Sequence, residues 1–153
     1  MVSDEAHIKF MTLPGAHLLI CLGFDPRGQS EVLFLGNRSG LLSLANVILW
    51  LWAESWRREL LSLSELPFVK TQDKIAIHIR VGTKKATGGH GFLRELDRGD
   101  TFEWVIPEDD LQAVGLSIHR LAAKPEHEYE RLNLDTTSAA GIHVRMTDAR
   151  EWL

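Results

Sequence analysis

The sequence predicts an α+β domain: a mostly antiparallel sheet with one long amphipathic helix packed on one face, plus one or two short helices. Three observations lead there. The stretch from Gly36 to Glu65 carries a helical repeat and is the most apolar part of the chain. Most of the remainder divides into short apolar or alternating runs separated by proline and glycine. The chain has 153 residues, a length suited to one domain spanning 1–153, with no linker, no low-complexity tract and no internal domain repeat expected.

In chain order, Ala6 to Leu13 is expected to be a strand with Ile8 and Phe10 facing the core, ended by the Pro14-Gly15 turn. His17 to Phe24 is short and almost wholly apolar, as a central strand would be. Asp25-Pro26-Arg27-Gly28 has proline to preset φ and glycine to accept a positive φ, so a turn follows. Glu31 to Leu35 is the third strand of a meander that feeds the helix.

Asn37 and Ser39 are the candidate N-caps of that helix. At 100° per residue, Leu41, Leu44, Ala45, Ile48, Leu51, Trp52 and Trp56 share one face. Ser43, Asn46, Trp50, Glu54 and Arg57 lie opposite. Trp50, an aromatic on the polar side, is covered by a loop, is a lone exposed aromatic, or is an interface anchor. The apolar core from Leu41 to Ala53 is shorter than the roughly 20 residues that a membrane span requires, so no membrane role is expected. Leu66-Pro67 should end the helix.

Lys74 to Val81 alternates, with Ile75, Ile77, Ile79 and Val81 on one side and Ala76, His78 and Arg80 on the other. Gly82 to Gly91 is a basic, glycine-rich loop; its lysines precede Gly88-Gly89, the wrong order for a Walker loop. Phe92 to Arg98 is expected to form a short helical turn and Thr101 to Ile106 a strand. Pro107 to Val114 should start a helix, with Glu108, Asp109 and Asp110 in its first turn and Gly115 as its stop. Leu116 to Leu121, Glu128 to Leu134 and Gly141 to Met146 complete the strands.

The bulk composition narrows function. A net charge of −4 gives no electrostatic footprint for nucleic acid. The single cysteine, Cys21, excludes an internal disulfide and suits a reducing, cytoplasmic setting. The N-terminus lacks the basic start and apolar core of a signal peptide. No HExxH, CxxC or GxSxG pattern is present, so no catalytic, metal or cofactor residue is assigned.

Histidine and arginine recur inside the apolar strands: Ile77-His78-Ile79-Arg80, Ile118-His119-Arg120 and Ile142-His143-Val144-Arg145. If the first and last of these strands are neighbours, His78, Arg80, His143 and Arg145 form one patch. That patch would solvate an open sheet face or receive an acidic partner or anionic ligand. With Trp50, these are the candidate binding residues. A protein partner or self-association is expected. The alternative is a small enzyme or anionic-ligand-binding domain with a His/Arg-lined site near the 82–100 loop, using His78, His90 or His143 with a carboxylate.

The junction LFLGNRSGLLSLANVILWL, Leu33 to Leu51, has Gly36-Asn37, then Gly40-Leu41-Leu42, and a leucine-rich helix after a strand. In these features it resembles predicted immunity proteins of bacterial polymorphic-toxin systems. The resemblance implies a non-enzymatic protein that binds and neutralises a cognate toxin. It assigns no toxin-contacting residue.

Overall fold

The computed structural model describes residues 4–24, 28, 30–54, 58–72, 74–82, 90–97, 100–125, 128–132 and 141–147. The elements are α1 (Asp4–Met11), β1 (Leu18–Phe24), β2 (Ser30–Gly36), α2 (Arg38–Ala53), β3 (Leu60–Ser62), β4 (Val69–Thr71), β5 (Ala76–Gly82), β6 (Phe92–Asp97), β7 (Thr101–Pro107), α3 (Glu108–Ala122), β8 (Tyr129–Leu132) and β9 (Gly141–Met146). They form two sheets, ordered β4-β1-β2-β9-β8 and β3-β5-β7-β6. The fold is α+β, but the sheets are mixed rather than mostly antiparallel. Three pairings are parallel: β1 with β4, β2 with β9, and β5 with β7. A parallel neighbour needs a crossover, and helices α2 and α3 lie within the long ones.

Several expected elements differ, each for a physical reason. Residues 6–13 fall mostly in helix α1: Ile8 and Met11, three apart, pack on the core while Phe10 is 91% exposed. Helix α2 ends at Ala53, not near Glu65, because Leu61 and Leu63 bury by strand alternation and β3 pairs with β5. Residues 92–97 are strand β6, held on β7 with a bulge between Glu95 and Asp97. Gly115 does not stop α3, and 116–121 is helix rather than strand. Glycine is there for packing: a Cβ would stand 2.8 Å from Leu49 of α2. Trp56, most of the 82–91 loop and residues 25–27 of the first turn lie outside the described residues; Gly28 does have φ +80°.

No internal repeat is expected from the sequence, but the strand pairings show one, because the halves share burial positions rather than residue types. Hairpin β1–β2, helix α2 and antiparallel pair β3/β5 are matched by hairpin β6–β7, helix α3 and antiparallel pair β8/β9. Each half sends its closing pair into the other's sheet: β9 lies along β2, and β5 along β7. When the N-caps Asn37 and Pro107 are aligned, buried Leu41, Leu44, Ala45, Ile48 and Leu51 fall on buried Leu111, Val114, Gly115, Ile118 and Leu121. Equivalent residues also meet each other, as they do on a two-fold axis. The Phe34 and Trp104 rings pack edge-on at 6.0 Å, and Gly115 faces the Ala45 carbonyl. One core cluster joins both sheets and both helices. Among the described residues no helix is long and apolar enough to cross a membrane.

Candidate functional site

The inner face of β5 and β7 is hydrophobic: Ile77, Ile79, Phe102, Trp104 and Ile106 are all buried. Strand alternation therefore turns His78, Arg80 and Glu103 to the outer face. Register places them together, with His78 opposite Glu103 on one side and Arg94 of β6 opposite it on the other. Glu103 is the centre. Its Oε2 accepts from His78 Nε2 at 2.8 Å and from Arg80 Nε at 2.9 Å, and its Oε1 accepts from an Arg94 terminal nitrogen.

Exposure is graded across the cluster. The Glu103 side chain is 3% exposed, His78 19%, Arg80 42% and Arg94 53%. The acid is the floor and the arginines rise from it. Burial alone would raise the Glu103 pKa. Hydrogen bonds from His78, Arg80 and Arg94, with attraction to the Arg80 charge, outweigh burial and hold the carboxyl down to about 2 from 4.5. At neutral pH it is an ionised acceptor with three donors, so it orients its neighbours and is a poor proton acceptor. His78 spends Nε2 on the carboxylate.

The second histidine–arginine strand lies elsewhere. β9 is in the first sheet and β5 in the second, so His143 and Arg145 do not join His78 and Arg80 in one patch. His143 Nδ1 is 3.2 Å from the buried carboxylate of Glu31, and its ring stands 5.9 Å from that of exposed Tyr129. Arg145 pairs in register with Tyr129. His119 and Arg120 are exposed in the last turn of α3, where cations complement the helix dipole. Trp50 is half-buried, with the His7 ring of α1 at 6.0 Å and the Arg58 guanidinium 5.4 Å over its ring. Among the described residues its indole nitrogen is buried without an acceptor.

Two members of the cluster escape the sequence reading. Glu103 stands in a run of carboxylates, and its signal is being the lone acid in an otherwise apolar strand, Phe102-Glu103-Trp104-Val105-Ile106. Arg94 lies in a segment expected to be helical.

The repeat supplies an internal control. Glu103 occupies the place of Leu33, Arg94 that of Cys21, His78 that of His143 and Arg80 that of Arg145. The same backbone thus forms in the first sheet with leucine and cysteine at its centre. The fold forms without an acid at this register position or an arginine at the place of Arg94, although the first sheet buries its own acid, Glu31, two residues from Leu33. Among the described residues, no three histidine, cysteine or acidic side chains converge as a metal site. Comparison of the chain with protein-family models, curated proteins and solved structures finds no match.

Proposed function

We propose that the chain is a small cytoplasmic protein-binding domain without catalytic activity, immunity-like in that it acts by occupying a partner, and that the outer face of the second sheet is its docking surface. The observation that carries this is the pair of arginines fixed on a shared buried carboxylate at a place where the other sheet manages with Leu33 and Cys21. Arginine set among apolar residues is the composition of interface hot spots. Here exposed Leu60 is the register partner of Arg80, and exposed Leu96 lies at the β6 bulge. Lone buried Cys21 suits a reducing compartment. In this reading the partner is a protein, with self-association included, and not nucleic acid or a membrane.

Against the alternative of a small enzyme stands the state of Glu103, ionised and saturated with donors. Site-specific photo-crosslinking tests the proposal. A benzophenone amino acid at Leu60 should capture one discrete protein in cells, while the same group at Leu116, exposed on α3, should not. Equal capture from both positions, or none from Leu60, would sink it.

A further inference from the structure

We infer that the group received on this face is a single carboxylate, an aspartate or glutamate side chain of the partner, held between Arg80 and Arg94. This rests on the protein-binding reading and specifies its chemistry.

Arg80 donates to Glu103 through Nε and Arg94 through one terminal nitrogen, so the remaining guanidinium N–H groups of both are directed to other acceptors. The planar fork of arginine matches a carboxylate. The charge count favours one more anion: two arginines face one ionised acid, and an incoming carboxylate would balance them. The ordering cost is met on folding, because Glu103 already fixes both guanidinium groups. The gradient of exposure also fits, since the acid lies beneath and the cations are uppermost.

The surroundings select against polyanions. Glu103 is directly under the two arginines, and the whole chain carries −4. A nucleic-acid backbone would approach a chain of net negative charge, and a phosphate dianion would bring a second negative charge over Glu103. One carboxylate flanked by apolar groups meets Arg80, Arg94 and the Leu60 edge instead. The first sheet retains Arg145 but has Leu33 and Cys21 where Glu103 and Arg94 stand, so the paired fork is particular to the second sheet.

The test is an NMR titration of the full chain, following the Nε–Hε signals of Arg80 and Arg94. The probes are N-acetyl-aspartate amide, its neutral asparagine counterpart, inorganic phosphate and a single-stranded oligonucleotide. The aspartate probe should shift both signals and the asparagine probe neither. Arg94→Gln, which keeps a donor for Glu103, should weaken the aspartate response about tenfold or more. The paired variant Glu103→Leu with Arg94→Cys should abolish it at Arg80. Equal response to asparagine, no response to aspartate, or tighter binding of phosphate or oligonucleotide would overturn the inference. Capture from Leu60 that persists despite such a result would leave protein binding standing and remove only the carboxylate. Loss of capture with an intact aspartate response would remove the protein-binding reading on which the inference depends.

Discussion

The two sheets answer the same structural problem with different chemistry. Each has a parallel pair at its centre, β2 with β9 or β7 with β5, and each turns a histidine and an arginine outward from the strand that crosses over from the other half. In the first sheet the central outward position is Leu33, flanked by Cys21, and His143 meets Glu31 lower on the same strand. In the second it is Glu103, flanked by Arg94. Non-directional hydrophobic burial fills the centre of the first, with buried Glu31 and its partner His143 beside it. The second gives up apolar burial for hydrogen bonds whose desolvation cost offsets much of their gain. Both sheets bury an acid beside a histidine, Glu31 with His143 and Glu103 with His78, but the second sets its acid at the centre of the face and places Arg80 and Arg94 on it.

The halves also differ at their helix starts, and this is where substitution should have its largest effect. Asn37 caps α2, accepting from Gly40 N–H at 2.8 Å and from His17 N–H at 3.1 Å while donating to Gly15 O at 2.9 Å. The chain approaches so closely that a Cβ on Gly40 would stand 2.0 Å from the His17 carbonyl oxygen. Gly40→Ala should therefore cost about 3 kcal/mol or more in chemical denaturation, since backbone must move. Asp110→Ala, at the equivalent place in α3, should cost less than about 1 kcal/mol, the loss of a dipole-stabilising charge. Equal costs would mean that the helix starts are not distinguished in this way.

Acid should separate the two sheets next. The Glu103 pKa is lowered on folding, so its contribution is complete above its ordinary 4.5 and is lost as pH falls toward about 2. That contribution is of the order of 3 kcal/mol. Stability of the parent measured against pH should fall across this window. The variant with Glu103→Leu and Arg94→Cys should lack that component, and an unchanged acid limb would show that Glu103 does not carry it.

At neutral pH the same paired variant rebuilds the first sheet's solution in the second. It should match the parent or exceed it by about 1–4 kcal/mol, as apolar replacements of buried ion clusters often do. Arg94→Leu alone should instead cost about 1–3 kcal/mol, because Glu103 stays buried with two donors rather than three. A full mutant cycle should give strong coupling between the two positions. Additive effects would show that the pair is not one unit.

The smallest effect is expected where the second half lacks what the first has. Pro107 precedes α3 with no side-chain cap. Pro107→Ser should stabilise by about 0.5 kcal/mol if serine can cap the first turn, whereas Asn37→Ala should cost about 1 kcal/mol or more. A thermal melt distinguishes the two signs.

Much of the fold is legible in the residues themselves. Alternation in 74–81 locates β5, the apolar run 17–24 locates β1, and Asn37 marks the start of α2. The failures share one cause, that a local pattern is settled by a distant partner. Leu60 to Leu63 suits either a continuing helix or a strand, and pairing with β5 decides it. Gly115 reads as a stop until Leu49 is set against it. The repeat is hidden because the halves share burial positions more than residue types. The site was half visible: His78 and Arg80 follow from the isoleucine alternation, but Glu103 and Arg94 depend on strand order. Strand order also puts His143 and Arg145 in the other sheet.

The exchange of closing strand pairs has a consequence for synthesis. A nascent chain that has emerged through β7 holds all four strands of the second sheet, yet β2 still presents an open edge. Its neighbour β9, the last of the described strands, lies between β2 and β8. The first sheet is therefore closed only by contacts that span most of the sequence, which makes folding a late event with a high contact order. Until then Val32 and Phe34 lack the cover of Ile142 and Val144.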